Sequence, residues 1–184
     1  MGKNILILGA GQYGCVVRET IEATGAFDRI EMLDDNREDV YGRIEDMEKF
    51  VGEFSCAIVA IGNNETRYRL LERAQASGFE IPCIVHPRSY VSPSAKLEPG
   101  VIVEPFAVIQ ANAVVGKGCI ISSTAVVNHN ATLGVGVHCD CTSVVSARAI
   151  VPKFYKVKNG EVYYAFVQDE GTKRYRAYTA EDGM

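Results

Sequence analysis

The sequence predicts a Rossmann-like α/β half domain followed by a parallel β-helix and a terminal β-hairpin. Three observations predict it. Short aliphatic runs alternate with amphipathic stretches up to residue 86, and the first run enters Gly9-Ala10-Gly11-Gln12-Tyr13-Gly14. From Val91 onward an aliphatic residue returns at every sixth position. Past Val162 that beat gives way to two alternating aromatic segments around Asp169-Glu170-Gly171. The units divide as 1–86, 87–162 and 163–184.

Lys3 to Leu8 reads as a strand buried on both faces, because it has no polar alternation. The G-x-G-x-x-G turn lets the backbone bend tightly and opens a helix whose apolar residues are Val16, Val17 and Ile21. Ile30 to Leu33 is a second strand ending at Asp34-Asp35, Asp46 to Phe54 a helix, and Cys56 to Ile61 a third strand closed by Gly62. Asn63 to Ser77 is a longer helix, and Ile81 to Val85 a last strand before His86-Pro87. Alternation of this kind predicts a parallel sheet covered by helices. The glycine turn aims helix N–H groups at negative charge, and an acidic residue about 20 positions on, here Asp34, suits a ribose hydroxyl. Motif alone reads as NAD. A dinucleotide site spans two mononucleotide halves, however, and only one fits before residue 86, so a mononucleotide or nucleotide sugar suits the length better. A tight turn with no ligand is the plain alternative.

In the second half, Val91, Leu97, Val103, Ile109, Val115, Ile121, Val127, Leu133, Cys139, Val145, Val151 and Val157 keep the beat. A small residue recurs four positions after each, from Ala95 to Ala149. A period of six matches neither a helix nor a simple strand; it matches short strands joined by turns, stacked coil on coil. Twelve such hexads at three per coil make four coils. The beat blurs at Pro152-Lys153-Phe154-Tyr155, and the hairpin after it would cap the open end of the stack. Lys173, Arg174 and Arg176 on that hairpin are candidate phosphate contacts.

The bulk numbers exclude several classes. A net charge of −4 disfavours nucleic acid as partner. No run approaches the ~20 apolar residues of a membrane span. Six cysteines with no export signal read as reduced residues of a cytoplasmic protein. His138, Cys139 and Cys141 could be assembled into a zinc site, but Cys139 falls on the inward beat, where a small buried thiol suffices, so no metal is expected. His129 and His138 occupy no inward position, so packing does not require them. An imidazole titrates near neutrality and can take a proton from an attacking amine or hydroxyl.

The arrangement resembles the NeuD/PglD-type acyltransferases, which acetylate sialic acids and UDP-linked amino sugars. The likeness rests on the glycine turn, Leu33-Asp34-Asp35, Ala60-Ile61-Gly62-Asn63, His86-Pro87, and two histidines nine residues apart. It implies a left-handed β-helix, a homotrimer, acetyl-CoA as acyl donor and a UDP-type sugar as acceptor. By position it implies His129 as general base with Asn130 beside it, and His138, Ser146 and Ala147 as acetyl-CoA contacts. Tyr13, Gly14, Cys15, Asp34, Asp35 and Gly62 match its nucleotide-sugar contacts. Asn130 stands where the family has an acid, and an amide orients the ring without charge, so slower catalysis is expected. Tyr13 stands where the family often has histidine. The chain also runs only about one coil past His138, where the family continues for several. A trimeric nucleotide-sugar-binding scaffold without acyl transfer is the rival reading.

Overall fold

The computed structural model describes residues 3–168 and 175–177. Strand β1 (Asn4–Leu8) lies between β2 (Arg29–Leu33) and β3 (Cys56–Val59), all parallel. Ile5 to Leu8 are wholly buried, which is why that run is continuously aliphatic. Helix α1 (Gln12–Thr24) buries Gly14, Val17, Thr20 and Ile21, a stripe that leaves Val16 outside. Helix α2 (Asn64–Ala76) follows β3. The helix expected over Asp46 to Phe54 is a 3₁₀ helix over Ile44–Phe50. Ile44, Met47 and Phe50 recur every three residues, the period of that tighter coil.

The run Ile81 to Val85 does not extend this sheet. Only Glu80 reaches β3, exchanging backbone hydrogen bonds with Ala57 and Ser55 at 3.0 and 2.9 Å. Ile84–Val85 (β4) pairs instead with Ile102–Val103 and is the first rung of the β-helix. Two-residue rungs continue every six residues to Val162–Tyr163, forming three parallel sheets of five, five and four strands. The first face stacks Ile84–Val85, Ile102–Val103, Ile120–Ile121, His138–Cys139 and Lys156–Val157. The second runs from Tyr90–Val91 to Val162–Tyr163, and the third from Lys96–Leu97 to Ile150–Val151. The repeat thus starts a hexad earlier and ends a hexad later than its aliphatic pattern suggests. Tyr163 holds the last inward position, 2% exposed, with its ring edge-on to Tyr155.

The second residue of each rung points inward, and from Val103 to Val157 these are at most 1% exposed. Each such aliphatic burial contributes roughly 1.5–3 kcal/mol. Backbone bonds between coils, such as Ile102 N–H to Cys119 C=O and Ile120 N–H to Val137 C=O, are 2.9 Å. At every sixth residue from Gly100 to Gly160, each a corner of the column, the chain passes through the left-handed region, with φ between 58° and 77°. Seven of these residues are not glycine, Asn130 among them. From Gly118 to Gly160 each corner N–H bonds a carbonyl of the coil below, as Asn130 does to Ala111 at 2.9 Å, which offsets the strain; the Asn112 N–H bonds Ser94 Oγ at 3.1 Å instead.

The α/β unit sits on the first face: Ile84 and Ile102 belong to its core, and Ile120 is wholly buried. Phe166–Gln168 and Tyr175–Ala177 pair antiparallel as the terminal hairpin. The expected turn Asp169-Glu170-Gly171, Lys173, Arg174 and the side chain of Arg176 lie outside the described residues. No helix among the described residues is long and apolar enough to cross a membrane.

Candidate functional site

A cleft of about 530 Å³ opens at the carboxyl ends of β1, β2 and β3, where open α/β sheets bind ligands. Gly11, Gln12, Tyr13, Asp34, Asp35 and Gly62 line it. Helix α1 begins there at Gly11 with no side-chain cap, so its first N–H groups face the cleft. By contrast α2 is closed by Asn63, whose Oδ1 accepts from Thr66 N–H at 2.9 Å. Asp34 fastens the turn: its two oxygens accept from Ala10 N–H at 2.8 Å and Asn36 N–H at 2.9 Å. Asp35 accepts from Glu45 N–H at 3.1 Å, with the Arg43 guanidinium 4.0 Å from the same oxygen.

Gly14 and Cys15 lie off this cleft. Gly14 is buried, and a Cβ on it would stand 2.4 Å from the Gly9 carbonyl oxygen, so its glycine permits helix–strand packing. Cys15 opens onto a larger groove of about 650 Å³ on the far flank of α1, whose side chains Arg18, Glu22, Arg37 and Asp39 are paired with one another. That groove lacks a helix N-terminus, and the smaller cleft is the better anion site. Tyr13 lines the cleft while its hydroxyl is enclosed beside Glu104, without a hydrogen-bond partner among the described residues. Burial, and then the Glu104 carboxylate, push that phenol well above its ordinary value.

His129 sits exposed at the corner between the second and third faces. Its N–H donates to Gln110 Oε1 at 3.3 Å, and its ring Nδ1 lies 2.9 Å from Asn130 Nδ2. With the amide so turned, Nδ1 accepts and the ring proton is on Nε2; turned over, Oδ1 accepts Nδ1–H and frees Nε2 as a base. Seventeen and eighteen residues on, Ser146 and Ala147 lie one coil above, and Arg148 N–H donates to the His129 carbonyl at 3.2 Å. Ser146 is occupied: Oγ accepts from Ala165 N–H at 2.6 Å, and its own N–H donates to Tyr163 C=O at 2.8 Å. Ala147 N–H has no partner among the described residues.

His138 is not on that edge. It points outward from the first face, 12% exposed, with Nε2 3.0 Å from Ser122 Oγ and Nδ1 enclosed without a partner among the described residues. Cys139, the next residue on the strand, points inward, so the two cannot share an ion. Burial, then the charges of Lys156 and Arg67, push the imidazole down to about 4 against the pull of Asp140. The unfolded ring titrates near 6.5, so between those values the unfolded chain takes up a proton that the native one refuses. Stability is therefore expected to fall by about 3 kcal/mol as pH drops from about 6.5 to 4. Thermal melts across that range check it: His138→Gln flattens this part of the curve, and an unchanged slope would rule the ring out as its source.

The structure thus assembles two candidate half sites. Tyr13, Asp34, Asp35 and Gly62 meet in the cleft; His129, Asn130, Ser146 and Ala147 share one edge. In a three-sided column the corner between the second and third faces lies across from the first face, which carries the α/β unit. The two halves of one chain therefore face away from each other. Two buried charged groups escape sequence reasoning: Glu104, 5% exposed, whose Oε2 accepts from Ser123 N–H and Oγ at 2.9 and 3.0 Å, and Arg67, 0% exposed. The only sequence signal near them is Gly100, Gly118 and Gly136 at intervals of eighteen. Other residues tolerate the same φ, so it is close approach that demands glycine: a Cβ on Gly118 would stand 2.6 Å from Leu71 of α2.

Residues 4–74 match the PglD N-terminal domain family and residues 94–129 the bacterial transferase hexapeptide family. The acetyltransferase domain of PglB from Neisseria gonorrhoeae, solved with acetyl coenzyme A, is 32% identical, with a TM-score of 0.83 over 88% of this chain and 82% of that one. A histidine-to-asparagine variant of perosamine N-acetyltransferase from Caulobacter crescentus, solved with CoA and GDP-perosamine, is 28% identical, with a TM-score of 0.76 over 88% and 82%. UDP-N-acetylbacillosamine N-acetyltransferase of Bacillus subtilis is 29% identical over 108 residues, which is 53% of this chain and 50% of that enzyme. The chain thus spans only about half the length of that curated relative. With its half-sized nucleotide fold and left-handed β-helix, the chain belongs to the NeuD/PglD-type family of hexapeptide-repeat acyltransferases.

Proposed function

We propose that the protein transfers the acetyl group of acetyl-CoA to the amine of a UDP-linked amino sugar. The observation that carries this reading is the exposed His129 ring one coil below Ala147 on a single edge, the Ala147 N–H having no partner among the described residues. The amine attacks the thioester carbon as His129 Nε2 removes its proton. Ala147 N–H then faces the oxyanion that develops. Collapse of the intermediate breaks the C–S bond, and the CoA thiolate takes the proton from the imidazolium. At the other half site the α1 N-terminus holds the diphosphate, with Tyr13, Asp35 and Gly62 around the nucleotide. An amine is preferred to a hydroxyl because the relatives are N-acetyltransferases.

The two half sites face opposite ways, so this reading requires a second copy to bring its cleft to His129. The outward column Val108, Val126, Val144 and Val162 on the second face, beside exposed Tyr90, supplies an apolar surface for a homotrimer. Its CoA groove would run along that boundary, with Ser146 on one side and His138 of the neighbouring face on the other. Buried thiols at Cys56, Cys119 and Cys139 suit a reducing cytoplasm.

The test is thiol release from acetyl-CoA in the presence of UDP-linked amino sugars, with GDP-linked ones in parallel. Release with the UDP series is expected, and release with the GDP series alone would overturn the choice of nucleotide. Asn130, donating to His129 as placed, favours one rival, a nucleotide-sugar-binding scaffold. Calorimetric binding of the sugar nucleotide without binding of acetyl-CoA would establish that rival and sink the transferase reading.

A further inference from the structure

We propose that Arg67 is a positioning residue: it locks the Gly62 edge of the nucleotide cleft onto successive coils of the β-helix and so sets where the acceptor is presented. The inference rests on the transferase reading above. Arg67 is 0% exposed, on the first turns of α2. A guanidinium has five N–H groups, and five oxygens receive them. Nε donates to Gly118 C=O at 2.8 Å, and one terminal nitrogen donates to Ile61 C=O at 2.9 Å and Gly62 C=O at 3.2 Å. The other donates to Asn64 Oδ1 at 2.8 Å and Gly136 C=O at 2.9 Å.

Four of the five acceptors are backbone carbonyls, two from the loop that closes the cleft and two from the β-helix. Asn64 continues the line, its Nδ2 donating to Phe154 C=O at 2.8 Å. Gly118, Gly136 and Phe154 are eighteen residues apart, one column of corners on three successive coils. The start of α2 is thus pinned to the column at three levels.

Burying a cation is expensive, and Arg67 forms no ion pair among the described residues. An apolar side chain of similar volume would dock the two units more cheaply. What it could not do is fix direction. A rigid planar fork ties the cleft loop and the coil corners to each other in one plane, whereas a lysine ammonium supplies three donors from a single point. Loop and column therefore move together, and the cleft keeps a constant height along the edge where a neighbouring copy presents His129.

The experiment compares the full-length wild type with Arg67→Lys and Asn64→Ala by thiol-release kinetics. It also measures nitroxide-pair distances between Glu19 and Asn159, labelled after cysteine replacement in chains diluted with unlabelled protein. Positioning predicts that kcat falls about 100-fold in Arg67→Lys, the scale of a 1 Å misplacement. KM for both substrates should stay within about threefold, since neither substrate contact is removed. The distance distribution should broaden. Asn64→Ala should move both readouts the same way by less, and it decides the question if Arg67→Lys does not fold. An unchanged kcat with an unbroadened distribution, or a rise in KM alone, overturns the proposal. A wild type without acetyl transfer would instead sink the transferase reading, leaving the distance measurement to judge Arg67 by itself.

Discussion

Replacing His129 by alanine is expected to lower kcat for acetyl transfer by about 10²–10⁴-fold, the span of general-base catalysis. KM for acetyl-CoA and for the sugar nucleotide should change little, because the ring's task arises only as the amine loses its proton. Thiol release from acetyl-CoA at saturating acceptor measures it, and a variant that keeps wild-type turnover would remove His129 from the mechanism. The neighbouring amide sharpens the test. Asn130 presents its donor Nδ2 to the ring at 2.9 Å, the orientation that leaves the proton on the nitrogen needed as base. Aspartate can only accept there, and it tolerates the left-handed φ of 59° that the corner requires. Asn130→Asp is therefore expected to raise kcat, and no gain would mean that the amide already serves turned over.

Gly134→Val is expected to cost at least about 3 kcal/mol of stability, because the new atoms meet backbone that cannot yield. A Cβ at Gly134 would lie 2.7 Å from the Lys153 nitrogen and 2.9 Å from its Cα, one coil above. Gly116, one coil below, is equally crowded, with Gly134 backbone 2.8 Å from its Cβ position. For a chain of this size the loss corresponds to a Tm lower by about 6–12 °C. Gly62 is the control: nothing lies within 4 Å of its Cβ position, so Gly62→Ala should melt within about 0.5 kcal/mol of wild type. Thermal unfolding followed by circular dichroism compares the three, and a Gly134→Val chain melting with the wild type would overturn the close-packed corner.

The six-residue beat was legible because inward positions select for one chemistry, aliphatic, coil after coil. Its ends were not. Val85 keeps the phase, yet Ile81 to Val85 reads equally well as a buried strand of the α/β sheet, since both environments want an aliphatic run. Tyr163 also keeps the phase, but an aromatic residue breaks the pattern; at the last coil its ring fits beside Tyr155. Within the site, His129 could be singled out because packing does not explain it, and the register of eighteen put Ala147 above it. Gly14 and Cys15 fall outside the cleft because the phase of α1, invisible in a motif, turns Gly14 toward β1 and Cys15 to the far flank. Arg67 left no trace beyond the glycines spaced by eighteen, since a buried arginine in a helix reads as an ordinary solvated one until its tertiary acceptors are known.

The column of rungs makes position along this chain a matter of modular arithmetic. Removing eighteen residues from within the stack deletes one full revolution and leaves every later side chain on its original edge. Removing six turns everything downstream by a third of a revolution, which would carry His129 onto a different edge from the one it now shares with no part of the nucleotide fold. Whole revolutions are thus the natural unit by which such a scaffold can lengthen or shorten without scrambling its chemistry.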